Sequence, residues 1–195
     1  MAPPPCTTER AGGCLIPIVG PSGVGKDTLI EKARRAFGDR HDIMFVRRTI
    51  TRPADAGGED HEAVDQATFQ RRLADGAFAV HWRAHGLSYG IPNSVRDHVE
   101  AGGLAVVNGS RHAMPAIARA FPALHVVEIT ADPAILARRL AVRGRETAEM
   151  IAARLRRPRA GAPGLPLPTE IDNSGSPEEA AARLVALIGK LATGD

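Results

Sequence analysis

Long apolar runs and blocks of one charge are missing from this chain, and aromatic residues are few. No stretch reaches the roughly 18 apolar residues that suggest a membrane-spanning helix, so no membrane partner is expected. Phe, Trp and Tyr make up 4% of the residues, so Ala, Leu, Val and Ile must do most of the packing. No run of about five like charges occurs, which argues against a polybasic tail. Cysteine is confined to Cys6 and Cys14, without Cys or His partners at metal-ligand spacing. A disulfide framework is therefore not expected, and a reducing, cytoplasmic setting is. The opening MAPPPCTTERAGG has no apolar core and reads as a loose leader over residues 1–13, not as a signal peptide.

What is present suits one globular domain. The chain has 195 residues, 44% hydrophobic and 24% charged, enough to bury a real core. A net charge of +3 and a pI near 9.3 fit a small anionic substrate as easily as nucleic acid. Basic residues are not interleaved with aromatics, so a nucleic-acid partner is not expected. Nothing in the sequence fixes the oligomeric state; a homodimer is one option.

The elements alternate. Leu15 to Val19 is a short apolar run, with Pro17 as a warning because proline cannot donate to a sheet ladder. Asp27 to Phe37 has helical spacing, and Ile43 to Val46 is a second strand. Residues 47–92 differ: short extended pieces at 78–82 and 87–91 surround one helix near 67–75, which reads as an inserted acceptor-binding subdomain. Strands at 104–107 and 125–130 and helices at 112–120 and 132–143 resume the core. An Arg-rich helix at 146–156, a Pro- and Gly-rich connector, a strand at 170–172 and a capped helix at 177–191 follow. The expectation is an α/β three-layer sandwich with a parallel central sheet. It is a single domain over 14–191: core at 14–46, insertion at 47–92, a mobile lid at 131–157, and core again at 169–191.

Gly20-Pro21-Ser22-Gly23-Val24-Gly25-Lys26 follows a predicted strand and opens a predicted helix. That is the context of a phosphate-binding P-loop. Glycines let backbone N–H groups turn inward, the helix N-terminus adds positive potential, and Lys26 reaches the outer phosphates. The residue after the lysine is Asp27, followed by Thr28, where such loops usually carry a hydroxyl for Mg²⁺. A carboxylate is also a hard oxygen ligand, so Asp27 is the candidate metal ligand.

GPSGVGKDTL resembles the P-loop of guanylate kinases, with aspartate in place of their Ser or Thr. Arg48-Thr49-Ile50-Thr51-Arg52-Pro53 resembles their S-x-T-T-R-x-P segment, and Phe78 to Gly90 their F-x-E-W…YG segment. Arg139 to Gly144, with Arg154 downstream, resembles the lid; Ile171-Asp172-Asn173 resembles the segment meeting the adenine. The departures are informative. His81 stands where that family has its guanine-reading glutamate, and Gly58-Glu59-Asp60-His61 lacks the family tyrosine. Arg48, beside Arg47, replaces a serine, and Asn108 replaces an aspartate in Val107-Asn108-Gly109-Ser110-Arg111. Losing base-reading groups and gaining cations matches a narrower family, the ribose 1,5-bisphosphate phosphokinases of phosphonate breakdown.

That resemblance implies ATP and Mg²⁺ as donor and cofactor, and a phosphorylated pentose as acceptor. It implies Gly20 through Thr28 and Asn173 at the nucleotide. Lys26, Arg139 and Arg143 would act on the transferring phosphate. Arg48, Arg52, His81, Tyr89, Asn108 and Arg154 would hold the acceptor. An acceptor phosphate oxygen is already ionised, so no general base is needed and catalysis reduces to positioning and charge stabilisation. The lid would close when both substrates bind and exclude water. A guanylate or other nucleoside-monophosphate kinase is the alternative. A non-catalytic module of the same fold would typically have lost the P-loop lysine, which is present here as Lys26.

Overall fold

The computed structural model describes residues 12–56, 58–142 and 166–194. In chain order these form β1 (Cys14–Val19), α1 (Lys26–Phe37), β2 (Ile43–Phe45), β3 (Thr49–Ile50), β4 (Glu62–Ala63), α2 (Gln66–Ala74), β5 (Phe78–Ala84), β6 (Leu87–Pro92) and α3 (Asn93–Glu100). There follow β7 (Leu104–Asn108), α4 (Met114–Ala120), β8 (Val127–Thr130), α5 (Pro133–Val142), β9 (Thr169–Asp172) and a last helix, α6 (Pro177–Thr193).

Five strands form a parallel sheet in the order β2-β7-β1-β8-β9. β1 is central and wholly buried, and its side chains alternate between the sheet faces. Ile16 and Ile18 join Leu29, Ala33, Leu184 and Ile188 on the side covered by α1 and α6. Leu15 and Val19 join Val95, Ile117 and Phe121 on the side covered by α3 and α4. Burying one such side chain contributes about 1.5–3 kcal/mol, so sheet and helices stabilise each other through these contacts.

Pro17 keeps its place in the strand, in register with Val107 of β7. On the other edge β1 touches the β8 segment at Leu15, and the regular ladder begins only at Ile18. The missing donor falls in that gap, so it breaks one rung and does not shorten the strand. In α6, Ser176 Oγ accepts from Glu178 N at 3.1 Å and donates to the Glu178 carboxylate at 3.0 Å. The cap therefore closes with Glu178, one residue before the usual partner position.

A second sheet has four strands in the order β4-β3-β6-β5. β5 and β6 are a hairpin turning at His85 and Gly86, whose φ values of 51° and 76° are those of a tight primed turn. That turn sets the register that puts Trp82 opposite Tyr89.

One helix was not anticipated from sequence, and one expectation needs correction. Residues 93–100 are helical as α3, with Val95 and Val99 buried one turn apart. Asn93 donates from its backbone to Ala77 O at 3.0 Å, which ties the helix start to the second sheet. Cys14 is disulfide-bonded, against the expected reduced cysteines. The expected helix at 146–156 lies outside the described residues.

Candidate active site

The loop between β1 and α1 leaves the C-terminal edge of the sheet where neighbouring strands run to either side, the place where open α/β sheets hold ligands. Close approach dictates its glycines. A Cβ on Gly20 would sit 2.4 Å from Ile129 O, and one on Gly25 2.6 Å from Asn173 Nδ2. Gly25 also has φ +97°, where a side chain is strained. Gly25→Ala is expected to cost about 2–3 kcal/mol. Thermal unfolding should show it as a Tm lowered by about 5–10 °C. Val24 points inward and is fully buried beneath the loop.

Lys26 arches back over the loop and donates to Gly20 O at 3.0 Å and Pro21 O at 3.2 Å. Burial lowers its pKa to about 8; Asp27 pulls it back up, while Arg48 and Arg111 push it down further. An amine held this way gains from an incoming anion, which would replace two carbonyl contacts with charge neutralisation.

A cleft of about 820 Å³ opens beside the loop. Five cations line it, Lys26, Arg48, Arg52, Arg83 and Arg111, against the two carboxylates Asp27 and Glu59. Arg48 is 7% exposed. Its fork meets Glu59 with two bonds, Nε to Oε1 at 2.9 Å and Nη2 to Oε2 at 2.6 Å. Its guanidinium also lies 5.5 Å and 5.2 Å from the ring centres of Trp82 and Tyr89. Those rings stack on each other at 5.2 Å, 4° from parallel. Planar charge on an aromatic face is favourable.

Asn108, at the C-terminal end of β7, uses one amide nitrogen twice. It donates to Asp27 Oδ1 at 2.6 Å and to Glu59 Oε2. One side chain thus ties the first turn of α1 to the Arg48–Glu59 pair. Arg52 is clamped by the buried His61, whose Nδ1 lies 3.2 Å from Arg52 Nη2 and Nε2 3.1 Å from Arg52 O. Arg111 meets the buried carboxylate of Glu128 on β8.

A smaller pocket of about 380 Å³ lies on the other side of the loop, lined by Gly23, Gly25, Thr28, Arg139 and Asn173 among others. Asn173 is 2% exposed and donates from Nδ2 to Val24 O at 2.7 Å. Its Oδ1 is buried without a partner among the described residues.

The residues singled out from sequence are therefore distributed unevenly. The loop residues, Arg48, Arg52, Tyr89 and Asn108 meet around the cleft, and Asn173 and Arg139 around the smaller pocket. His81 is not a cleft-lining residue: it is exposed, and on β5 it alternates with the buried Val80 and Trp82. Arg143 and Arg154 lie outside the described residues. Sequence reasoning passed over Glu59, His61, Arg83, Arg111 and Glu128. Arg111 was visible only as the end of the N-G-S-R segment. Glu59 comes to Arg48 because β3 and β4 pair in parallel with Thr49 opposite Glu62.

No protein-family model matches the chain. It is 48% identical over 179 residues to the "Ribose 1,5-bisphosphate phosphokinase PhnN" of Rhizobium etli (strain CIAT 652), covering 92% of this chain and 91% of the relative. It is 51% identical over 180 residues to the protein of the same name from Acidiphilium cryptum (strain JF-5), covering 90% and 92%. Among solved structures, a guanylate kinase from Anaplasma phagocytophilum superposes with a TM-score of 0.67 at 20% identity, covering 92% of this chain and 86% of that one. The last likeness concerns the fold. No helix among the described residues is long and apolar enough to cross a membrane.

Proposed function

The chain belongs to the family of ribose 1,5-bisphosphate phosphokinases, and from that premise we propose that it phosphorylates ribose 1,5-bisphosphate with ATP. It is a P-loop kinase, a transferase. The reaction breaks the bond between the γ-phosphorus and the β–γ bridging oxygen of ATP. It forms a bond from that phosphorus to an oxygen of the sugar's 1-phosphate, giving ADP and 5-phospho-α-D-ribose 1-diphosphate. Such a product fits the phosphonate-breakdown role of the family.

One observation carries this reading. The acceptor cleft offers guanidinium groups on an aromatic floor, with Arg48 buried where it covers both rings. An acceptor with two phosphates and no base carries a charge near −4 at neutral pH, so cations are what it needs. Arg48 and Arg52 would grip its phosphates through guanidinium N–H groups other than those that meet Glu59 and His61. Arg111, held by Glu128, adds a further cation at the cleft wall. The attacking oxygen is ionised, so no side chain must remove a proton. What the protein supplies is alignment and positive charge.

On the donor side, the loop amides and Lys26 would hold the polyphosphate, and Arg139 would approach it from α5. Asn173 fits an adenine: its unpartnered Oδ1 is an acceptor for the exocyclic amino group. Asp27 and the Thr28 hydroxyl suit Mg²⁺, being hard oxygen donors beside the loop. No cluster of three metal-binding side chains occurs among the described residues, so phosphate oxygens and water would complete such a site. The ion would offset charge on the β- and γ-phosphates. Its binding is expected to weaken in Asp27→Ala, read as a raised Mg²⁺ requirement.

The Lys26 pKa makes a pH prediction. Without ligand the amine is protonated below about pH 8 and loses its proton above it. Polyphosphate raises that pKa again, so ATP binding above pH 8 should take up a proton, and affinity should fall by up to about tenfold per pH unit. Calorimetry in buffers of different ionisation enthalpy measures the uptake, and Lys26→Met should abolish it. The stability effect has the opposite sign. Burying the charged amine costs stability below pH 8, and the cost fades as pH rises from about 8 towards 10.5.

The reaction itself is tested by incubating the protein with ATP, Mg²⁺ and a panel of phosphorylated sugars and nucleotides, followed by ³¹P NMR. A new diphosphate at C1 of ribose 5-phosphate is the expected product. Turnover of GMP with none of ribose 1,5-bisphosphate would reverse the assignment in favour of a guanylate kinase.

A further inference from the structure

A carboxylate in a cleft meant for a tetraanion is an electrostatic cost, because it repels both phosphates. Of the two carboxylates lining this cleft, Asp27 lies in the first turn of α1 beside the phosphate loop, on the donor side. Glu59 lies on the acceptor side, paired with Arg48, whose guanidinium covers the Trp82 and Tyr89 rings. It is nearly buried, its side chain 11% exposed.

Its bonds can be counted. Oε2 accepts from Arg48 Nη2 and from Asn108 Nδ2, while Oε1 accepts from Arg48 Nε. A carboxylate has about four lone-pair positions, so among the described residues one position remains, on Oε1. The ligand side has a matching need. A pentose carrying phosphates on O1 and O5 keeps hydroxyls on C2 and C3, its only hydrogen-bond donors. The cleft's cationic side chains are all donors themselves. Among acceptors, a charged oxygen is about twice as strong as a neutral one.

We propose that Glu59 is a specificity-determining residue that accepts a hydrogen bond from a secondary hydroxyl of the pentose, selecting ribose over its deoxy analogues. This rests on the proposed function above. Arg48 and Asn108 hold the carboxylate in place, so the sugar is read by one fixed acceptor. The Arg48 bond also screens the carboxylate from the phosphates, which explains how an acid is tolerated there.

The competing role is purely structural, with Glu59 only orienting Arg48. Steady-state kinetics with ribose 1,5-bisphosphate and its 2-deoxy and 3-deoxy analogues separates the two. The attacking atom is a phosphate oxygen, so removing a ring hydroxyl alters its reactivity little. For the wild type, kcat/KM for one of the deoxy analogues should be lower by about 10- to 100-fold. Glu59→Ala should shrink that ratio to under about threefold, and Glu59→Gln should leave an intermediate preference. A structural role would lower kcat/KM for all the sugars equally and leave the ratio untouched, which would overturn the proposal. So would a wild type that uses both deoxy analogues as well as the parent, a result needing no folded variant. A wild type inactive on ribose 1,5-bisphosphate but active on another acceptor would instead remove the proposed function, and this inference with it.

Discussion

Replacing Lys26 by methionine is expected to lower kcat by about 10³-fold without loosening the fold. A preorganised donor aimed at developing charge is worth about 10²- to 10³-fold in comparable sites, and more for a cation in phosphoryl transfer. Lys26 is placed for this, arching over the loop with Nζ against Gly20 O and Pro21 O. Its desolvation in the half-buried loop lowers the pKa to about 8, so holding the charged form there costs stability at neutral pH. Methionine fills similar volume without the charge. The thermal midpoint of the ligand-free variant should therefore stay level or rise at pH 7, while activity collapses. A variant that kept kcat within threefold would place the charge stabilisation elsewhere.

Arg48→Ala is expected to lower kcat/KM for the acceptor by about 10³-fold and to leave the KM for ATP within about threefold. Here the fold does suffer. Arg48 and Glu59 are 9% and 11% exposed as side chains, so removing one strands the other in a poorly solvated place. Breaking a buried pair from one side typically costs about 3–5 kcal/mol, and the residual exposure places this pair towards the lower end. Combining Arg48→Ala with Glu59→Gln removes the stranded charge. Much of the thermal stability should return, and none of the activity. Arg48→Lys keeps the charge but loses the fork and the flat contact with Trp82 and Tyr89. It should lie about midway between wild type and alanine on a logarithmic scale. If the double variant regained activity together with stability, Arg48 would be structural.

The phosphate loop was legible because its requirement is local. A chain that must turn backbone N–H groups inward, at a place where a Cβ on Gly20 would fall 2.4 Å from Ile129 O, can use little but glycine there. The central sheet was legible because β1, β7 and β8 are short apolar runs between turns. α3 was not: its buried face is only Val95 and Val99, and it follows Pro92 directly. β3 and β4 are two residues each, too short for any periodicity. The acceptor site depends on those short strands. Their parallel pairing carries Glu59 to Arg48 and His61 to Arg52, and Asn108 arrives from another sheet altogether. Side-chain direction within a strand was equally hidden. His81 and Trp82 are neighbours in sequence, yet only Trp82 lines the cleft.

The central claim is that guanidinium groups, not base-reading contacts, hold the acceptor. A crystal structure with ribose 1,5-bisphosphate and a non-hydrolysable ATP analogue tests it most directly. The account predicts a sugar phosphate on Arg48 and Arg52, above the Trp82–Tyr89 floor, with the 1-phosphate facing the γ-position at the loop. A purine bound in that cleft in preference to the sugar bisphosphate would contradict it.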